Sequence, residues 1–260
     1  MGAIFRHELR NYFHSLTAYV FGAFLLAVVG LGSVLYNLQA AVSNFEFVLS
    51  FASIIFVVIV PILTMRTLAE ERRQRTDQLL YSLPITTTQV VLGKYLALLV
   101  VYLIPLAVIS LYPLLFSQFG DVYLPTSYGS LFAFFMMGAA LLAVGMFLSS
   151  LTDNQGFAAG IGIAAILLNY YSVSLAEYTS STAMGSLIAL YVIALLLGVV
   201  IRGLTRNENL AYGVTFALIA ALSVAYFVNS TAFEGLLPDI MTKLSLFRQF
   251  NSFVNGAFDL

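Results

Sequence analysis

Between Glu70 and Asp77 six of eight residues are charged: Glu70, Glu71, Arg72, Arg73, Arg75 and Asp77. Such a cluster can orient a partner protein by charge complementarity or lie against lipid phosphates. It cannot enter a bilayer. At roughly 2.5 to 3.5 kcal/mol for each charge at the membrane centre, inserting it would cost on the order of 15 to 20 kcal/mol. Elsewhere the reactive inventory is thin. His7 and His14 are two turns apart, and His7-Glu8 is not followed by a histidine at metalloprotease spacing. Two imidazoles and no cysteine give no metal site and no disulfide. No Gly-rich loop ending in Lys-Ser or Lys-Thr is present to cradle a nucleotide phosphate. No cofactor is expected, the chain is not expected to be an enzyme, and any energy it uses must come from another polypeptide. Nothing in its net charge of -1 calls for a nucleic-acid partner.

The elements that must position the cluster are set by composition. Of 260 residues 61% are hydrophobic and 9% charged, with mean hydropathy +0.97, whereas a soluble domain is about 25% charged. The fold class is therefore all-α, a polytopic integral membrane protein with the lipid bilayer as its surroundings. Met1 to His14 is mixed polar and the first apolar run is too long for a signal h-region, so no cleavable signal is expected. Spans are expected at about 16–36, 47–65, 95–116, 127–148, 156–173, 183–201 and 210–228, each close to the ~20 residues an apolar helix needs to cross. None of these seven runs holds an Asp, Glu, Lys, Arg or His, which weighs against proton-coupled transport and intramembrane hydrolysis.

Before the first span, Phe5, Leu9, Tyr12 and Leu16 recur at spacings of four, three and four, with Arg6 and Arg10 largely elsewhere on the wheel. The pattern predicts an amphipathic interfacial helix over 1–15; a polar extension of the first span is the alternative. Pro61 is expected to kink the second span. Thr86-Thr-Thr-Gln89 can cap a new helix, and Lys94 is expected to anchor the inner end of the third span. Gly156, Gly160 and Gly162 give the fifth span a face for close helix approach. The tail, 229–260, reads as short amphipathic segments at the surface. With the N-terminus cytoplasmic, nine of the eleven basic residues fall on the inner side and the outer loops between spans hold none, as the positive-inside rule asks. The inner stretch 66–94 also carries Leu79, Leu80, Tyr81 and Leu83. A helix in a partner's groove and an interfacial helix on lipid both fit that mixture.

Several segments resemble the ABC-2 type transporter permeases, and among these the gliding-motility-associated branch. They are Phe5-Arg-His-Glu-Leu-Arg-Asn-Tyr-Phe13, Pro61-Ile-Leu-Thr-Met-Arg-Thr-Leu-Ala-Glu-Glu-Arg72, Thr76-Asp-Gln-Leu-Leu80 through Leu83-Pro84 to Leu92-Gly-Lys94, and Phe147-Leu-Ser-Ser-Leu-Thr-Asp-Asn-Gln155. The resemblance implies a single transmembrane domain over 1–260, in a bacterial plasma membrane, forming the translocation path of an exporter. Its implied partners are a separate ABC ATPase subunit, a second copy or a related permease, and an accessory membrane protein. The first helix, with Phe5, Arg6, Leu9 and Arg10, would lie on the inner membrane face. The loop after the second span would supply a coupling helix, with Glu70, Glu71, Arg72, Thr76, Leu79, Leu80 and Pro84 forming or bordering the ATPase contact. The importer signature Glu-Ala-Ala with its spaced Gly is not seen, which favours export. In relatives the tail motif from Phe250 to Gly256 and through Asp259-Leu260 leads into a further span, which is expected to be missing here. An ATP-independent scaffold or assembly factor for cell-surface machinery is the alternative function.

Overall fold

The computed structural model describes residues 1–75, 86–205 and 207–255. Thr76, Leu79, Leu80 and Pro84, expected at the coupling contact, lie outside them. Every regular element among the described residues is helical, as lipid demands of a chain whose backbone groups must be satisfied locally. Two compact units are formed, Met1–Tyr170 with Gln249–Leu260, and Tyr171–Arg248.

The first unit begins with α1 (Gly2–His14) and α2 (Leu16–Ser33), the latter continuing as a π-helix over Val34–Gln39. Next come α3 (Glu46–Ser53), α4 (Phe56–Thr64) and the short α5 (Ala69–Gln74). They are followed by α6 (Thr87–Ile109), α7 (Leu111–Phe116), α8 (Leu124–Ser149) and α9 (Gln155–Tyr178), which runs out of the unit. Among the described residues six helices are long and apolar enough to span, and a bent pair makes up to seven. This is the expected number.

That pair is the second span, and its bend is not where proline placed it. Glu46–Ser53 and the helix from Phe56 meet at 59°, with the break at Ile54 and Ile55. There the amides of Ile55, Val57 and Val58 bond to carbonyls three residues back, at 3.0 to 3.1 Å, a tightening of the ladder that redirects the axis. Pro61 stays inside α4. It removes one donor but packs beside Gly162, where an added Cβ would lie 3.0 Å from the Pro61 ring. Of the other two glycines expected on that face, a Cβ added at Gly160 would meet nothing within 4 Å among the described residues, and at Gly156 only Asn154.

Helices run past the apolar stretches, so ionisable groups enter their ends. Glu46, one residue before the expected second span, opens α3 and is buried, with Oε1 3.5 Å from the Ser127 hydroxyl. Its Oε2 and the Ser130 hydroxyl have no hydrogen-bond partner among the described residues.

Within lipid, burial against another helix brings little hydrophobic gain, so packing rests on close fit. Tyr102 is the centre of that fit. It is fully buried, donates to the Phe134 carbonyl at 2.8 Å, stacks on Phe135 and meets Phe21 and Phe56 edge-on. Gly138 makes room for its ring, and Gly145 does the same for Thr64. The tail contributes too: Phe250 is 2% exposed with its ring 5.7 Å from that of Phe134. This corrects the expectation of a tail lying wholly at the surface, since Phe250 lodges among core aromatics.

The second unit contains α10 (Ala183–Thr205), α11 (Glu208–Val228), a 3-10 turn over Ser230–Phe233 and α12 (Leu236–Lys243). Helix α13 (Leu246–Val254) starts in it. Helices α10 and α11 form an antiparallel hairpin. Gly198 lets Thr215 approach, Tyr191 and Ser223 share a 2.7 Å hydrogen bond, and Arg202 pairs with Glu208 at the turn. Asn207 caps α11 at the Leu210 amide.

A Cβ at position 138 would fall 2.6 Å from the Tyr102 ring. Gly138→Ala should therefore destabilise the first unit by about 1 to 3 kcal/mol, and Gly138→Ala with Tyr102→Leu should recover part of that loss. Thermal unfolding in detergent measures both.

Candidate functional site

Helix α1 docks on the N-terminal part of α6 because position 93 is glycine: a Cβ there would lie 3.1 Å from the Ile4 side chain. Phe5 and Leu9 are half-buried and Tyr12 is buried, while Arg6 and Arg10 are exposed. The expected two-sided helix is therefore present. Its apolar stripe packs against α6. Helix α6 is capped as the sequence suggests, with Thr86 Oγ1 accepting from the Gln89 amide at 3.3 Å.

Lys94 sits in the second turn of α6, and here expectation fails. Rather than anchoring a span end in the headgroups, its side chain is 1% exposed. A buried ammonium is costly unless every proton finds an acceptor. Three do so: Glu71 Oε1 at 2.6 Å, Glu8 Oε1 at 2.7 Å and the Thr67 carbonyl at 3.2 Å. The two carboxylates are only partly exposed, 12% for Glu8 and 21% for Glu71. One lysine thus joins α1, the turn before α5, α5 and α6.

Hydroxyls extend the junction. Thr67 donates to the Thr64 carbonyl at 2.9 Å, so the 3.3 Å contact between Thr67 Oγ1 and the Tyr12 phenol has tyrosine as donor. Burial raises the Tyr12 phenol well above its usual range. The hydrogen bond with Thr67 opposes that shift, and the charges of Glu8, Glu70 and Glu71 add to it. Tyr12 accordingly stays a neutral donor. On the far side, Ser149 at the end of α8 donates to the Met65 carbonyl and accepts from the amides of Ala69 and Leu68 at 3.2 and 3.4 Å. It satisfies donors that a helix start leaves unpaired, so α5 is capped by a residue about 80 positions away.

Of the residues expected at the ATPase contact, Glu70, Glu71 and Arg72 lie on α5 but face differently. Glu71 turns inward to Lys94. Glu70 accepts from Gln74 at 3.2 Å, and Arg72, Arg73 and Arg75 are exposed. Arg75 ends the helix in the left-handed region at φ 57°. Glu8, Thr67, Lys94 and Ser149 were not singled out by sequence as members of the site. The available signal was Glu8, an acid on the same face as Ile4 and Tyr12, opposite a glycine followed by a lysine. A polar cleft of about 440 Å³ opens beside the junction, lined among others by Asn11, Tyr12, Glu70 and Lys94. No group of three or more His, Asp or Glu side chains among the described residues converges as a metal centre would require.

The model of the ABC-2 family transporter proteins matches residues 27–176, more than half of the chain. The chain belongs to the ABC-2 transporter family. The matched region begins within α2 and contains α5, Lys94 and Ser149. As an ABC-2 protein the chain is a multi-pass membrane component of a transporter, a family that works with an ABC ATPase, and is not itself the ATPase. The match is to the family as a whole and lends no support to the gliding-motility branch. No curated protein and no solved structure matches the chain.

Lys94→Met would remove the buried ammonium that Glu8 and Glu71 share. It should loosen α1 and α5 by about 3 to 5 kcal/mol, read as faster amide hydrogen exchange in both. Lys94→Met with Glu8→Leu and Glu71→Leu should restore most of the protection, because an apolar replacement removes the whole ionic demand.

Proposed function

We propose that the chain is the path-forming permease subunit of an ATP-driven exporter in a bacterial plasma membrane. In this reading its N-terminus is cytoplasmic and both compact units belong to one transmembrane domain. The observation that carries the reading is the Lys94 junction. A helix meant only to rest on lipid needs no internal ionic tether, whereas α5 is bonded to α6 through Glu71 and to α8 through Ser149. A force applied to the exposed side of α5 therefore reaches two spanning helices directly. Helix α1 is bonded to the same lysine and moves with them.

The proposed input is a separate ABC ATPase, present in two copies against a homodimer or a pair with a related permease. It would contact Arg72 and its exposed neighbours, together with Thr76, Leu79, Leu80 and Pro84. Glu71 is a positioning residue in this scheme, holding α5 from within. Cycles of ATPase dimerisation would then rock α6 and α8 and alternate access to the path between spans.

Affinity purification of the full chain from its native membrane should bring down an ABC ATPase. Arg72→Glu, placing an acid on the exposed side, should reduce that recovery roughly tenfold, a loss of about 1.4 kcal/mol. Lys94→Met should leave recovery largely intact while uncoupling ATP hydrolysis from transport. Recovery of the chain with no nucleotide-binding subunit would favour the scaffold function instead.

A further inference from the structure

The polar cleft beside Lys94 does not end at protein polar groups. Two of its lining residues, Thr17 and Arg66, also line a second depression, an apolar groove of about 520 Å³ between α2 and α4. The groove follows the first turns of α2 from Leu16 through Val20 to Phe24, roughly 12 Å at 1.5 Å per residue. Its opposite wall is α4 and the residues after it, from Val58 to Arg66. An apolar trough and a polar chamber thus meet at one seam, at the end of α2 where the first span begins. Water fills the first poorly and hydrocarbon the second poorly. A single amphiphile satisfies both.

The charges select its headgroup. Lys94 is already matched by Glu8 and Glu71. Arg66, at the seam, is exposed and has no ion-pair or hydrogen-bond partner among the described residues. Glu70 lines the polar chamber but not the groove, and among the described residues it accepts a hydrogen bond from Gln74 alone. Among the described residues the Arg66 guanidinium, with no partner, therefore lies at the seam, and the Glu70 carboxylate, with no cationic partner, lies on the polar side only. A phosphodiester beside the acyl chains meets a guanidinium, the side chain best shaped for phosphate oxygens. Beyond the phosphate, a primary ammonium meets a carboxylate, to which it donates hydrogen bonds.

We infer that the groove between α2 and α4 and the cleft above it form a binding site for one membrane phospholipid with a zwitterionic, primary-amine headgroup, phosphate on Arg66 and ammonium on Glu70. Choline offers no N–H to Glu70, and glycerol offers no cation. The occupant bridges α2, α4 and α5. The inference is independent of ATPase coupling: it requires only that this end of the first span lie at a membrane surface.

The test uses the full chain, delipidated in detergent. Native mass spectrometry is used to titrate phospholipids of identical acyl chains bearing ethanolamine, choline or glycerol headgroups. The wild type should retain one ethanolamine lipid roughly tenfold more tightly than either other headgroup, the effect of one charge-assisted hydrogen bond. Glu70→Gln should erase that preference without abolishing binding. Arg66→Gln should weaken all three lipids, with Arg66→Lys retaining part. Val20→Trp, which fills the groove from an exposed position, should block all three while leaving hydrogen exchange at the Lys94 junction unchanged. Equal retention of the three headgroups by the wild type would overturn the inference, as would an ethanolamine preference surviving both Arg66→Gln and Glu70→Gln. Loss of ATPase co-purification would bear on the coupling reading and leave these lipid affinities where they are.

Discussion

An ammonium group that is 1% exposed dictates the arrangement around it. Removing a charge from water costs several kcal/mol, recovered only when geometry and hydrogen bonding are nearly complete. Lys94 meets that condition by drawing three acceptors from two distant stretches of chain, Glu8 from one and Thr67 and Glu71 from the other. Helix α1 must then lie along α6, close enough that position 93 has no room for a side chain without shifting Ile4. The short α5 must present Glu71 inward, which turns Arg72 and Arg73 outward. Ser149 completes the constraint by occupying the amides at the start of α5.

This end of the molecule and its apolar body are held by different physics. In the body, helices exchange lipid contacts for protein contacts of similar polarity, so association depends on fit. Glycine at 138 and 145 and the ring system around Tyr102 supply it. At the junction the interactions are ionic and directional, strong in a partly dry setting and sensitive to the loss of any one partner. A body held by close fit can tilt as blocks, and a junction held by directional bonds can pass displacement on without slipping. Family membership of the region 27–176 gives that combination its setting, a transporter whose energy source is another chain.

Hydropathy and charge were legible in one dimension. The number of spans followed from the length of apolar runs, the exposure of Arg72, Arg73 and Arg75 from the cost of burying them, and the start of α6 from Thr86. Pro61 misled for a physical reason. A missing donor permits a kink but does not require one, and the bend instead arose at Ile54 and Ile55, where amides reach carbonyls three residues back. Phe250 likewise read as a surface anchor because an aromatic on an amphipathic segment suits lipid and protein equally; packing against Phe134 decided it.

What sequence alone determined is therefore the membrane character, the six to seven candidate spans among the described residues and the exposure of the charged stretch, all fixed by transfer free energies that each segment carries with it. Which charges pair was left to the tertiary structure. Lys94 finds Glu8 at a separation of 86 residues and Glu71 at 23. No local rule chooses those partners, since ionic bonds depend on distances that exist only once the helices have packed.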